Sequence, residues 1–320
     1  MMKRLNMPVF FMSHGVNPDF AHFGDPARNM VRLYWNPRPV TADEAYEEIR
    51  SDQLKRWWDR GYRRFVFFNE PQIKHLPNGG GEGMGIAWHS KEEFALYLKH
   101  CLQRAQNDLH GIKLYTTPMT SNAAFDPWGW RSAMWRQVKD LVEGWCIHAY
   151  TGNNADADAA AQDIADQIKQ LKRKYRLQIP IVVSEASVNR GDNAAQKAQV
   201  ARLLPRKLAR VSGIDGVFWY AADWNPEFDT HHEGWFRNGI ADAFLQQGVL
   251  DLFRDRRFEL GYLFAQAKLG RCLPTAAAKQ RGGPADRKNQ EKRRRHNHTP
   301  HVIGELRHQV VAGAVNGAGN

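Results

Sequence analysis

Phe65-Val66-Phe67-Phe68-Asn69-Glu70-Pro71 reads as an apolar strand that stops at a carboxylate. Aromatic and β-branched residues favour the pleated, buried surface of a sheet. Pro71 has no backbone N–H to donate and does not continue a ladder, so Glu70 stands at the strand's carboxyl end. An acid at the mouth of so apolar a strand is partly desolvated, which raises its pKa and suits it to hold a proton near neutrality. An ordinary turn that simply ends the strand would give the same residues.

Runs of the same kind recur at residues 31–35, 112–116, 145–150, 179–184 and 217–220. Successive starts lie 33 to 47 residues apart, room for a strand, a loop, a helix and a return. Residues 42–60, 91–107, 155–175 and 194–211 are rich in Ala, Lys, Gln, Glu and Leu and read as helices. This alternation predicts an α/β fold, and the repeat length predicts a (β/α)8 TIM barrel of about 250 residues. A doubly wound open sheet shares the alternation but carries a phosphate-binding glycine turn after its first strand. The glycines at Gly79, Gly80, Gly81, Gly83 and Gly85 lack the Lys-Ser or Lys-Thr of such a loop.

Counted back from residues 217–220 as strand eight, residues 65–69 are strand four and residues 31–35 strand three. Only about 30 residues precede them, where two more barrel units need roughly twice that. Residues 8–13 supply strand two, and strand one is left without a sequence. A fragment, or an irregular first strand, is the expectation there.

Residues 1–270 are thus predicted as the barrel domain and residues 271–320 as a basic, disordered tail. The formal net charge is +11, but residues 272–320 hold nine Lys or Arg against three Asp or Glu, so the body is only moderately basic. The run Lys292-Arg293-Arg294-Arg295 and the nearby His296, His298 and His301 belong to that tail. Nucleic acid is not expected as a partner except through it. No apolar stretch approaches the roughly 20 residues of a membrane span, so no membrane partner is expected. Lys3 and Arg4 precede an apolar run at residues 7–12, shorter than a signal-peptide core of about 7 to 15 residues. Cytoplasmic is the default localisation, with secretion the expectation if an N-terminal segment is missing. Cys101, Cys146 and Cys272 suggest neither a disulfide framework nor a zinc site.

In a parallel barrel the chemistry sits at the carboxyl ends of the strands. Besides Glu70, the run Ile179-Pro180-Ile181-Val182-Val183-Ser184 ends at Glu185. Three strands further round a ring of eight, this second carboxylate can face the first across the mouth. Trp145-Cys146-Ile147 leads into His148-Ala149-Tyr150, where strand alternation points His148 and Tyr150 the same way, toward the mouth or into the core. Val217-Phe218-Trp219-Tyr220 precedes Asp223-Trp224. An indole there, Trp219 or Trp224, offers a flat apolar platform for the C–H face of a sugar. Trp88, Trp128, Trp130 and Trp235 fall in segments that read as loops and fit the same chemistry. His231-His232-Glu233 lacks the spacing of a zinc helix, and Ser13-His14 lacks a third partner for nucleophilic catalysis.

Asn69-Glu70-Pro71, His148-Ala149-Tyr150, Glu185 and the Trp-rich end of the last strand, taken in order over residues 31 to 245, resemble the retaining glycoside hydrolases of the cellulase-like and β-xylosidase-like barrels. In those enzymes strands four and seven carry the catalytic glutamates. The resemblance implies cleavage of a β-glycosidic bond with retention by double displacement, with Glu70 as acid/base and Glu185 as nucleophile. It further implies Asn69 on the substrate hydroxyl beside the anomeric carbon, Tyr150 near the nucleophile, and His148, Trp219 and Trp224 as substrate contacts. An oligosaccharide or polysaccharide is the implied partner, and no metal or organic cofactor is implied. The family's arginine near the nucleophile has no secure match, Arg32 being a candidate only. The rival expectation is a catalytically inactive or truncated glycosidase-like barrel that binds carbohydrate.

Overall fold

The protein is described by a computed structural model over residues 9–13, 25–74, 83–120, 126–152, 156–189, 193–220, 234–235, 238–246 and 260–264. In chain order its elements are β1 (Val9–Met12), β2 (Met30–Leu33), α1 (Ala42–Ile49), a π-helical turn (Arg50–Leu54), α2 (Lys55–Trp58), β3 (Arg64–Phe67), α3 (Lys91–Asp108) and β4 (Lys113–Tyr115). They continue with α4 (Pro127–Val138), β5 (Trp145–Thr151), α5 (Ala157–Tyr175), β6 (Ile181–Val188), α6 (Ala194–Leu208), β7 (Ile214–Trp219), α7 (Ile240–Gln246) and β8 (Leu260–Phe264). Met1–Leu76 and Gly81–Ala267 form one compact unit. A second, Pro77–Gly80 with Lys268–Asn320, lies outside the described residues, and the predicted tail of residues 271–320 with it. Among the described residues no helix is long and apolar enough to cross a membrane.

The fold is α/β with a single eight-stranded sheet in the order β4-β3-β2-β1-β8-β7-β6-β5, every pairing parallel. Its two outer strands also meet. Tyr115 bridges Gly144 in parallel, and the N–H groups of Glu143 and Thr116 donate to Leu114 O (2.8 Å) and Gly144 O (3.1 Å). Gly144 is required at this seam, because a Cβ there would run into the Tyr115 ring.

Alternation along the strands sorts the core into two layers. Phe10, Met30, Val66, Tyr115, Cys146, Val182 and Phe218, one from each of β1 to β7, pack together on one face. Val31, Phe65, Leu114, Trp145, Val183 and Val217, their sequence neighbours, pack on the other face in a cluster with helix residues such as Ile49, Leu98, Met134, Ile164 and Leu204. Both faces are buried, as expected of a parallel sheet clothed in helices.

Two expectations are corrected. The position left without a strand is filled from the other end of the chain: β8 pairs with β1 on one side and β7 on the other. The predicted second, third, fourth and seventh strands are therefore β1, β2, β3 and β6 in chain order. The segment holding Trp128 and Trp130 is a helix, not a loop. Asp126 accepts from Gly129 N–H (3.1 Å) as its N-cap, and Pro127 opens the first turn. Trp88, Trp130 and Trp235 are all buried, so their indoles belong to the core.

Candidate active site

The mouth of the sheet begins with a charged residue inside an apolar strand. Met30-Val31-Arg32-Leu33 puts Arg32 on the same face as Met30, and the strand buries it. Its Nη1 donates to Glu185 Oε1 at 2.6 Å and also to Asn69 Oδ1. The Arg32 and Glu185 side chains are only 4% and 6% exposed.

Glu185 reaches that face because of a bulge. Ile147 pairs with Val183 but His148 pairs with Glu185, so β6 carries one extra residue, Ser184, at this point. Strict alternation from the inward Val182 would send Glu185 toward the helices. The bulge re-aims it inward. There it lies opposite His148, while Tyr150 OH donates to its second oxygen at 2.5 Å. Burial works against ionisation of Glu185, but the His148 imidazole, the Arg32 guanidinium and the Tyr150 hydroxyl outweigh it and hold its pKa below the usual carboxylate value.

Glu70 arrives from the end of β3 by a distorted backbone. Phe68 and Glu70 both have left-handed φ values, 63° and 34°, which cost non-glycine residues energy and are kept only where neighbours impose them. The neighbours here are Leu33 O, which accepts from Phe68 N–H (3.2 Å), and Pro118 O, which accepts from Glu70 N–H (3.0 Å). The result brings Glu70 Oε1 to 2.9 Å from His148 Nδ1. The other ring nitrogen, Nε2, is 3.4 Å from Glu185 Oε1. One fully buried imidazole therefore spans the two carboxyl groups, with Glu70 the more exposed of the pair at 16%.

Of the predicted site residues, Asn69, Glu70, His148, Tyr150 and Glu185 come together. His148 faces the carboxyls, not a sugar: it has no exposed surface. Trp219 does not join them. It is 1% exposed and lies in the layer against the helices, its ring centroid 6.2 Å from that of Trp235, whose own is 5.3 Å from Phe244. Trp224 and residues 231–233 lie outside the described residues. Tyr220 is half-buried against the inner cluster, and its ring is edge-on to that of Tyr150, centroids 6.1 Å apart. Sequence reading passed over it, although alternation from Phe218 points to it. Arg32, in sequence only a candidate for the family's arginine, joins the site through Glu185 and Asn69, and its signal is a cation in an otherwise apolar strand. Among the described residues no group of three or more His, Cys, Asp and Glu is placed to hold a metal ion.

No protein-family model and no curated protein sequence matches the chain. Among solved structures it is similar to an endo-β-1,3-glucanase of glycoside hydrolase family 128, subgroup II, from Sorangium cellulosum. That likeness has a TM-score of 0.55 and 17% identity, over 76% of this chain and 93% of that one. An exo-β-1,3-glucanase of subgroup VI from Aureobasidium namibiae gives a TM-score of 0.48 and 13% identity over 70% and 75% of the two chains. An endo-β-1,3-glucanase of subgroup I from Amycolatopsis mediterranei, in complex with laminaritriose, gives 0.47 and 17% over 75% and 90%. At these identities the likeness to the Sorangium enzyme is one of fold.

Proposed function

We propose that this chain is a glycoside hydrolase that cleaves β-linked glucan, of the β-1,3 type named for its structural neighbour, with retention of anomeric configuration. The observation that carries the reading is the single buried imidazole with a carboxyl group at each nitrogen. It places the carboxyl groups of two glutamates distant in sequence against the same side chain. We read the sheet as a closed (β/α)8 barrel, supported by the seam between β4 and β5 and by an inner cluster fed by seven strands. Counted round that ring from β8, Glu70 follows the fourth strand and Glu185 sits on the seventh, the order of the resembled glycosidases.

The proposed chemistry divides the labour by environment. Glu185, ionised and held by Arg32 and Tyr150, attacks the anomeric carbon as Glu70 gives its proton to the leaving oxygen. The glycosyl ester on Glu185 is then cleaved by water. Glu70, now a carboxylate, takes the water's proton, and Glu185 is released ionised. His148 fixes the spacing of the two groups, and Tyr220 offers a ring face to the bound sugar. No metal or organic cofactor takes part.

Laminarin, laminaritriose and a nitrophenyl β-glucoside test the proposal with wild type, Glu70→Gln and Glu185→Gln. Wild-type turnover, with loss of at least about a thousandfold in Glu185→Gln, is the expected result. Proton NMR of the first-formed product reads the anomer: the β-form agrees with double displacement, and the α-form would replace it with single displacement by water. Equal rates in all three proteins would sink the enzymatic reading.

A further inference from the structure

The turn that follows Glu70 contains a buried side chain with nothing to bond. Ile73 N–H donates to Glu70 O (3.0 Å), closing a four-residue turn with Pro71 and Gln72 at its centre. The Trp88 indole N–H holds it by donating to Pro71 O at 2.9 Å. Gln72 is 5% exposed, yet neither its Nε2 nor its Oε1 has a hydrogen-bond partner. Among the described residues it is the one side chain with both amide atoms buried and unpaired.

Gln53 shows what a glutamine serving the fold does. Its Nε2 donates to Tyr34 O at 2.5 Å and its Oε1 accepts from Tyr34 N–H at 3.0 Å, so its amide fastens the end of β2. Gln72 fastens nothing. An amide buried without partners is unfavourable, and a leucine or methionine of similar volume would fill the space without that cost. Its place, two residues after the proposed proton donor in a strapped turn, supplies a use for it. A carboxamide offers donors and an acceptor side by side, which matches neighbouring hydroxyls on a pyranose ring.

We propose that Gln72 is a substrate-binding residue on the leaving-group side. Its side chain rotates on binding, and its amide takes hydroxyls of the sugar whose glycosidic oxygen Glu70 protonates. This rests on the proposed hydrolase reading and adds a site that discriminates among leaving groups. An unpaired amide built to meet a hydroxyl favours substrates that carry one.

The test compares laminaritriose, whose leaving group is a sugar, with a nitrophenyl β-glucoside, whose leaving group has no hydroxyls beside the cleaved bond. Gln72→Leu and Gln72→Met are measured beside wild type, with thermal melts of all three. The expected result is a fall of about tenfold or more in kcat/KM on laminaritriose, carried mainly by KM, with the aryl glycoside within about twofold and the melts unchanged or higher. Equal laminaritriose kinetics in wild type and both variants, or equal losses on both substrates, would overturn the assignment. If wild type hydrolyses neither substrate, the hydrolase reading fails by itself. Calorimetry with laminaritriose then decides: weaker binding by both variants keeps Gln72 as a sugar contact, and equal or absent binding removes it.

Discussion

Arg32 Nη1 lies 2.6 Å from Glu185 Oε1, although 153 positions separate the two residues in sequence. Both side chains are shielded from water, so removing either leaves the other's charge buried with one strong partner fewer. Arg32→Met is expected to cost about 3–5 kcal/mol in a urea titration at neutral pH. Without the guanidinium the Glu185 pKa rises, and the acidic limb of the kcat/KM profile moves to higher pH.

The same pair sets a pH dependence of stability. The folded pKa of Glu185 is below its ordinary value, so the unfolded chain binds a proton first as the solution is acidified. The stabilisation from this group is complete above the unfolded value of about 4.3 and is lost as pH falls through the folded value. Unfolding free energies of wild type and Glu185→Gln, measured from pH 6 to pH 3, should differ most at pH 6 and converge below about pH 4.3. A constant difference across that range would show that Glu185 titrates normally in the folded protein.

His148 touches both carboxyls and has no route to solvent, so its predicted role is positioning. His148→Ala should lower kcat by about a hundredfold while KM moves little, because the substrate keeps its own contacts and only the spacing of the reacting groups is loosened. The pH profile separates this from a packing defect. A variant that merely packs badly would lose stability with an unaltered profile, whereas loss of the imidazole beside Glu185 moves the acidic limb to higher pH.

Much of this architecture is legible in the sequence because burial on both faces gives parallel strands long apolar runs. Each apolar run overlaps a strand, and the helices at residues 91–108 and 157–175 begin and end within two residues of the reading. The site was legible where charge follows a strand, at Glu70. What pattern could not carry is geometry that breaks the pattern. The extra residue at Ser184 decides which way Glu185 faces, and no residue type announces it. The helix Pro127–Val138 opens with aromatic residues and a glycine, which hid its Asp126-Pro127 start signal. A period of two, applied from Phe218, separates Tyr220 from Trp219, whose indole suits a sugar in composition but packs into the layer against the helices.

That last distinction is testable by contrasting the two neighbours. Trp219→Phe should lower the unfolding free energy by about 1–3 kcal/mol through lost packing on Trp235, with a matching fall in melting temperature, and leave KM unchanged. Tyr220→Ala should do the reverse, with stability nearly retained and kcat/KM on laminaritriose reduced about tenfold. If Trp219→Phe raises KM and Tyr220→Ala does not, the sugar platform lies where the sequence reading placed it.

The strand that completes the sheet comes last among the described elements, and this makes folding depend on a segment far in sequence from Glu70 and Glu185. Without Leu260–Phe264, β1 and β7 each lose a parallel neighbour and expose a row of backbone donors and acceptors. β1 carries the inward Phe10, whose ring lies 5.9 Å from the Arg32 guanidinium and 5.4 Å from Phe218. Loss of β8 therefore loosens the floor beneath the Arg32–Glu185 pair as well as the edge. A chain ending at residue 258 is expected to aggregate or to unfold without a cooperative transition, while one ending at residue 270 should melt as sharply as the full chain. Circular dichroism melts and size-exclusion profiles of the two truncations check this. A cooperative melt and full activity in the shorter chain would mean that β8 is dispensable and that the sheet holds together with β1 and β7 unjoined.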